Sequence, residues 1–273
     1  MGRGRVALIG AVAVLAWTAS ATAAAPVGEF KVVFPEGFTR ARMIQQVAAV
    51  RKIALRELRA ANAPAKVALT GTGYTTASAH VVVPCFGAKP QKNAEGFLYP
   101  ATYSFDARTL GANIVANQLA AFCAQWARLD LAYARSKNLT PYDVLTIASM
   151  IESESALPGD RPKVGAVIYN RLRLGMPLGI DATLRYGLHI PPTKSITQAE
   201  LASDSPYNTR KLKSLPPTPI SNPGFPSLQA AAHPSTLGYL YYARIPGTNK
   251  QAFFENYAAY QKFLQEHGYG PHP

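Results

Sequence analysis

Residues 145–172, LTIASMIESESALPGDRPKVGAVIYNRL, contain two helical patterns separated by a Pro-Gly turn, and the rest of the chain is interpreted outward from them. The first pattern carries two glutamates, Glu152 and Glu154, among isoleucine, methionine, alanine and leucine. Carboxylates are costly to desolvate, so acids in such surroundings indicate a buried ion pair or a chemical role. Two residues along an α-helix correspond to a rotation of about 200°, which points these side chains in nearly opposite directions. They therefore do not form a facing carboxylate pair, and periodicity alone does not choose between them.

The sequence before this segment predicts further helices. Thr-Pro-Tyr-Asp at residues 140–143 combines an N-cap threonine, a proline at the first helical position and an acid that completes a capping box. The helix that carries the two glutamates therefore begins there, and it is expected to end near residues 158–159. Apolar residues at three-to-four spacing predict one long helix over residues 109–138 and another helix over residues 161–175.

The sequence after this segment is less regular. Residues 176–188 are expected to form short, turn-rich segments. Four prolines within residues 216–223 indicate a rigid segment that is neither strand nor helix. Residues 239–245 predict a strand, and residues 253–268 predict a closing amphipathic helix. Helices mixed with short strands place the chain in the α+β class.

The N-terminal part predicts a small βαα unit over residues 29–88. Alternating apolar residues indicate a strand at 30–34, and Pro-Glu-Gly at 35–37 is a turn. Two helical pieces are expected to follow, at residues 39–50 and 53–62. A loop-like composition after residue 88 marks a boundary, so residues 89–270 form a second, larger domain.

The charge of the chain limits its partners. Its 273 residues include 28 Lys and Arg against 15 Asp and Glu, a formal net charge of +13. The excess is spread along the chain without a basic block, and no nucleic-acid-binding motif is present. This pattern fits attraction to anionic surfaces, such as membrane headgroups or cell-wall polymers, better than a nucleic-acid partner. Charge that serves only solubility fits equally well.

Residues 1–25 have the order of an export signal. Two arginines precede an apolar run at residues 6–17, and small residues follow. The strict apolar run is short for a bilayer, which takes about 20 residues to cross, although the weakly apolar tail brings it to that length. A cleaved signal peptide and a retained membrane anchor both stay open. Either one predicts an exported protein at the extracytoplasmic face of the cell membrane.

The two cysteines, Cys85 and Cys123, both lie after the export segment. In an oxidising compartment they can form one disulfide, worth roughly 3–4 kcal/mol, and two isolated core thiols fit the sequence as well. No zinc-ligand spacing occurs in the sequence. Accordingly, no metal and no cofactor is predicted.

Several strings resemble one family. The sequence I-x-E-x-E-x-x-L-P-G-D-R-P-K-V-G-A-V-I-Y-N-R-L resembles the core of the YceG-like family, the membrane-anchored endolytic murein transglycosylases. The strings EGFLYPATY at residues 95–103, YNT at 207–209, NPG at 222–224 and SLQAAAHP at 227–234 are similar to that family in the same order. The resemblance implies a YceG-like catalytic domain over residues 89–270. The first unit is similar to the LysM-like subdomain that precedes that domain.

The resemblance also implies an activity and its residues. The family's catalytic acid is the first glutamate of its V-E-x-E-[ST] string, which here is Glu152. The expected reaction cleaves MurNAc–GlcNAc bonds of peptidoglycan strands, with one glutamate serving first as general acid and then as base, so that 1,6-anhydro-MurNAc ends form. The same glutamate needs no second enzymatic carboxylate. The candidate substrate-binding residues are Glu154, Asn170, Arg171, Asp181, Thr183, Tyr186, Tyr207 and Asn208.

A purely structural role stays open for each of these candidates. Aromatic residues of this kind also pack in hydrophobic cores, and Glu154 also suits an ion pair with a residue such as Arg171. Arg210, where the family has tyrosine, is a candidate contact for a stem-peptide carboxylate. The partners implied are peptidoglycan strands, the membrane surface and proteins of wall synthesis. Two other functions remain: a glycan-binding scaffold without activity, and a pyridoxal-phosphate lyase. The lyase is disfavoured because no Gly-rich phosphate loop opens a helix.

Overall fold

The computed structural model of the chain describes residues 29–61, 63 and 65–269. The export segment predicted at residues 1–25 lies outside these residues. Among the helices within them, none is both long and apolar enough to cross a bilayer.

The N-terminal unit is built on a two-stranded antiparallel sheet. Its elements are β1 (Phe30–Val33), α1 (Arg40–Ala60), α2 (Gly71–Ala77) and β2 (Thr102–Phe105). In the register of β1 and β2, Phe30 lies opposite Phe105. The two helical pieces expected at 39–50 and 53–62 are a single helix, capped by the hydroxyl of Thr39, because no glycine or proline interrupts the helical spacing between them. The strand β2, which closes this small sheet, comes from beyond residue 88, so the segment 29–88 shares the sheet with the rest of the chain.

The larger part of the chain is mostly helical. Its elements are α3 (Gly111–Trp126), α4 (Ala132–Ser136), α5 (Pro141–Glu154), α6 (Arg161–Arg173), α7 (Asp181–Leu188), α8 (Gln198–Leu201), α9 (Phe225–Ala232), β3 (Tyr241–Arg244), β4 (Gln251–Phe254) and α10 (Tyr257–Glu266). The strands β3 and β4 form an antiparallel hairpin. Helices mixed with small antiparallel sheets confirm the predicted α+β class.

Four boundaries differ from the sequence expectations. The long helix expected over 109–138 is two helices, α3 and α4, separated by a turn over residues 127–131 in which the Asp130 carboxylate accepts a hydrogen bond from the Ala132 N–H (2.8 Å). Helix α5 ends at Glu154, four residues before the expected Pro-Gly stop. The turn-rich segment contains α7. The start of the closing helix belongs to β4, whose pairing with β3 a single-sequence pattern does not reveal.

Helix α5 lies at the centre of the core and holds the proline-rich segment in place. It packs against α6 and α9, and the capping box at its start is present. The buried Ser149 hydroxyl accepts a hydrogen bond from the Ile220 N–H (3.0 Å), and the Ser221 hydroxyl donates to the Ser149 carbonyl (3.0 Å). Because Ser149 satisfies backbone groups of the irregular segment, that segment is fixed along the face of α5 that also carries Glu152.

The two cysteines form a disulfide. Cys85 and Cys123, 38 residues apart, have Cα atoms 5.6 Å apart and join the segment after the N-terminal helices to α3. Of the two alternatives that the sequence left open, a disulfide and two isolated thiols, the structure shows the disulfide.

Replacing both cysteines with serine is expected to lower the free energy of unfolding by about 3–4 kcal/mol, since the unfolded chain regains the freedom of the closed loop. Urea unfolding of the oxidised wild type and the double variant measures the difference. As a control, dithiothreitol is expected to lower the unfolding midpoint of the wild type and to leave that of the double variant unchanged. Equal midpoints for oxidised and reduced wild type would contradict the prediction.

Candidate active site

Glu152 occupies the last turn of α5, where two other elements meet its carboxylate. One oxygen, Oε2, accepts a hydrogen bond from the Gly224 N–H at the start of α9 (3.0 Å). The other, Oε1, lies 3.4 Å from Nη2 of Arg161, the first residue of α6. Only 6% of the Glu152 side chain and 10% of the Arg161 side chain are exposed. Both contacts are charge-assisted, and they hold the carboxylate in one orientation.

A second carboxylate, Glu36, lies beside the first. Its Oε2 is 3.6 Å from the same Arg161 Nη2, and 46% of its side chain is exposed. Burial and the Glu152 carboxylate raise the pKa of Glu36, while Arg161 lowers it. Sequence reasoning assigned Glu36 only to a turn between β1 and α1, because nothing local indicates that this turn reaches α5.

Two glycines permit this close approach. At Gly37, φ is +75°, and a Cβ there would lie 3.6 Å from Cγ of Glu152. At Gly224, a Cβ would lie 1.9 Å from Oε1 of Glu36. The Glu36 carboxylate therefore occupies space that any other residue at position 224 would fill.

The turn that carries Glu36 is held by Asn222, which is fully buried. The Asn222 carbonyl accepts from the Gly37 N–H (3.0 Å), and its own N–H donates to the Phe38 carbonyl (3.0 Å). Its side-chain Nδ2 donates to the Phe38 carbonyl and to Glu95 Oε1 (both 2.9 Å), and its Oδ1 accepts from the Leu98 N–H (2.9 Å). One asparagine thus joins the N-terminal unit, the segment before β2 and the proline-rich segment.

Glu95 is a buried acid that lies against the first residue of α1, Arg40. Its two carboxylate oxygens accept from the Arg40 N–H (2.9 and 3.1 Å), and the Tyr186 hydroxyl donates to Oε2 (3.2 Å). Burial raises the pKa of Glu95 to about 7, although the hydrogen bonds from Arg40, Tyr186 and Asn222 act in the opposite direction. Sequence reasoning quoted this residue only as part of a family string and gave it no role.

The raised pKa of Glu95 predicts that stability depends on pH. Between its ordinary pKa of 4.5 and about 7, the folded protein binds a proton that the unfolded chain has released. The contribution is therefore fully present below pH 4.5 and is lost as the pH rises through 7, by about 3 kcal/mol.

Glu95→Gln is expected to remove most of this decrease, because glutamine does not titrate. Urea unfolding at pH 5 and pH 8 measures it, with the exposed Glu57→Gln as a control that keeps the wild-type slope. The same slope for Glu95→Gln and wild type would show that the buried acid is not responsible.

Glu154 faces a different part of the molecule. Its Oε2 accepts a hydrogen bond from the Tyr242 hydroxyl (3.0 Å), and burial raises its pKa while this bond lowers it. Glu154 lines a cleft of about 580 Å³ together with Arg171 and Asp181. Three of the predicted substrate-binding residues are thus brought together, on the side of α5 away from Glu152.

The charged side chains of this cleft already have partners. Arg171 donates to three backbone carbonyls, those of Pro177, Leu178 and Leu240. Asp181 forms an ion pair with Arg210 at 2.7 Å. Within the described ranges no ion pair joins Glu154 to Arg171.

Three further candidates make contacts that order loops. Thr183 is buried, and its hydroxyl lies 2.9 Å from that of Thr209. Asn208 is also buried and donates to two backbone carbonyls, that of Leu201 at the end of α8 and that of Ser203 just after it. Asn170 donates to the carbonyls of Leu237 and Tyr239 (both 3.0 Å), at the edge of a separate cleft of about 930 Å³.

The two candidate tyrosines pack together, with ring centres 5.3 Å apart. The Tyr207 hydroxyl lies 2.8 Å from that of Thr218, whereas Tyr186 reaches Glu95. Through Glu95 and Asn222, Tyr186 is connected to the turn that carries Glu36. In the part of the chain that the structure describes, no group of three or more His, Cys, Asp or Glu side chains is placed to hold a metal ion.

Comparison with known proteins assigns this arrangement to a family. A sequence model of the YceG-like family matches residues 12–266. The chain belongs to the YceG-like family. The fold agrees with a crystal structure of a YceG-like protein from Listeria monocytogenes, with a TM-score of 0.64 and 30% sequence identity over 85% of this chain and 75% of that one. The family resemblance inferred from the sequence is therefore confirmed.

Two relatives of known name are endolytic murein transglycosylases. The endolytic murein transglycosylase of Bacillus subtilis (strain 168) is 34% identical over 175 residues, which are 63% of this YceG-like chain and 46% of that protein. That of Streptococcus pneumoniae (strain ATCC BAA-255 / R6) is 32% identical over 180 residues, 63% of this chain and 32% of that protein. The chain spans less than half the length of both relatives.

Proposed function

We propose that this protein is an endolytic lytic transglycosylase that cleaves MurNAc–GlcNAc bonds within peptidoglycan strands and leaves 1,6-anhydro-MurNAc ends. The observation that carries the proposal is the carboxylate of Glu152, which is nearly enclosed where α5, α6 and α9 meet in a YceG-like fold. The names of the relatives support the same activity.

Glu152 serves in both halves of the proposed reaction. In the first half its carboxyl group donates a proton to the glycosidic oxygen while the bond from C1 of MurNAc to that oxygen breaks, which frees the 4-hydroxyl of GlcNAc. In the second half the C6 hydroxyl of the same MurNAc bonds to C1, and its proton returns to the Glu152 carboxylate. No water is consumed, and the acid is regenerated for the next cycle.

The surroundings of Glu152 fit this double role. The Gly224 N–H and the Arg161 guanidinium stabilise the carboxylate that exists between the two proton transfers. Low exposure keeps water away from C1, so the internal C6 hydroxyl has the advantage of proximity. The residues around Glu154, together with Tyr186 and Tyr207, are proposed to shape the binding surface for glycan and stem peptide.

The setting of the reaction belongs to the same proposal. The predicted export segment supports a location at the extracytoplasmic face of the cell membrane, either anchored or released, and there the protein is proposed to meet nascent strands during wall synthesis. The positive net charge of +13 favours both the membrane surface and anionic wall polymers. Proteins of wall synthesis are the expected partners.

Digestion of purified peptidoglycan by the full chain, followed by mass spectrometry of the products, tests the activity. Muropeptides with 1,6-anhydro ends located within former strands are the expected result, with heat-inactivated protein as the control. Reducing ends instead would mean that water attacks C1 and that the protein is a hydrolase. Binding without any product would support a glycan-binding scaffold.

A further inference from the structure

We propose that Glu36 is a second catalytic carboxylate of this site, which contacts the bound strand and stabilises the positive charge that develops on the sugar ring. The inference rests on the proposed function, and it adds a residue from the N-terminal unit to the machinery carried by α5, α6 and α9. Its basis is the cluster of Glu36, Glu152 and Arg161.

Accessibility separates the roles of the two acids. The Glu152 side chain is 6% exposed, whereas that of Glu36 is 46% exposed, and both approach the same Arg161 nitrogen. The turn of Glu36 passes close to Glu152, since a Cβ at Gly37 would lie 3.6 Å from Cγ of Glu152. Of the two carboxylates, that of Glu36 is the more accessible to a bound strand.

Charge indicates what Glu36 does there. The Arg161 guanidinium forms ion pairs with both Glu36 and Glu152, whereas the Gly224 N–H donates only to Glu152. Glu36 has no hydrogen-bond donor from the protein at normal distance among the described residues, so its negative charge is the less neutralised of the two. A cleavage with an oxocarbenium-like transition state places positive charge on the ring, and a fixed anion at the mouth of the site lowers its energy.

A further feature is consistent with a site that accepts a polar ligand. Nε of Arg161 is buried and has no hydrogen-bond partner among the described residues. Buried guanidinium donors are rarely left unpaired, so this one indicates that the described residues do not supply every partner of Arg161. The glycine at position 224 also keeps the place of the Glu36 carboxylate open.

Steady-state kinetics on soluble, uncross-linked glycan strands test the role of Glu36. Glu36→Gln is expected to lower kcat by about 10- to 100-fold with KM changed less than about threefold, because the lost interaction forms with the transition state. The melting temperature is expected to stay that of wild type. The exposed Glu57→Gln, in α1 of the same unit, is the matched control and is expected to retain wild-type kcat.

Gly224→Ala provides an independent test, because it keeps the N–H that binds Glu152 and evicts the Glu36 carboxylate. It is expected to lower kcat about as much as Glu36→Gln does. Combined with Glu36→Gln it is expected to cost little more, since the two changes remove the same interaction. Full additivity of the two effects would overturn the proposal.

The outcomes distinguish this inference from the function on which it rests. Wild-type kcat for Glu36→Gln, with anhydro ends still formed, would overturn the role of Glu36 and leave the transglycosylase intact. A raised KM with unchanged kcat would show that Glu36 only binds the strand, which also overturns it. Reducing ends from the wild type that disappear in Glu36→Gln would make Glu36 the base that activates water, and the absence of any cleavage would overturn both proposals.

Discussion

Glu152→Gln is expected to lower the rate of strand cleavage by about 10³-fold or more, because one residue both gives and takes the proton in the two halves of the reaction. Glutamine has nearly the same shape and can still accept from the Gly224 N–H, so the fold around it is expected to persist. The measurement is the yield of 1,6-anhydro muropeptides from purified peptidoglycan over time. The melting temperature shows whether the variant remains folded.

Glu154→Gln is the comparison that makes the assignment specific. Its carboxylate lies on the same helix, two residues further along, but it faces Tyr242 and the other cleft. A much smaller loss of activity is therefore expected. Loss of cleavage in Glu154→Gln together with normal cleavage in Glu152→Gln would show that the wrong acid has been assigned.

Asn222→Ala is expected to be the most destabilising single change, at about 4–5 kcal/mol in the free energy of unfolding. The variant leaves the Leu98 N–H without its buried acceptor, removes one of the donors to the Glu95 carboxylate and removes the side-chain bond to the Phe38 carbonyl. For a chain of this size the melting temperature is expected to fall by about 10 °C. Thermal unfolding followed by circular dichroism measures the change.

Activity is expected to fall as well, since the variant loses the side-chain bond from Asn222 to the Phe38 carbonyl, which helps to hold the turn that carries Glu36. Gln265→Ala, an exposed amide in α10, is the control and is expected to change stability by less than about 0.5 kcal/mol. A melting temperature for Asn222→Ala within the range of that control would contradict the account of Asn222 as the residue that joins three segments.

Local signals in the sequence were sufficient for much of the helical framework. The start of α5 follows from its capping box, and α6 follows from apolar spacing between a proline and a glycine. Such signals act within a few residues, so they persist whatever the rest of the chain does. Where the boundaries differed, as between α3 and α4 and in β4, a turn or a pairing partner interrupted the helical pattern.

Some features of the candidate site could likewise be predicted from the sequence, and others could not. Opposite directions for Glu152 and Glu154 follow from helical rotation. The choice of Glu152 follows from the family string alone and stays a prediction. The contacts of the other candidates were not predictable in this way. Thr183 and Asn208, for example, make buried bonds to neighbouring loops, and Arg210 pairs with Asp181.

By itself, the sequence determined the α+β class, the helix that carries the catalytic candidate, and the family to which the chain belongs. Only the tertiary structure decided that Glu36 and Glu152 share Arg161, that Asn222 is bonded to Glu95, and that Cys85 is bonded to Cys123. Helical rotation and capping depend on neighbours along the chain. The contacts of a carboxylate with an arginine or a distant amide depend instead on how separate segments pack, and no short-range pattern encodes that packing.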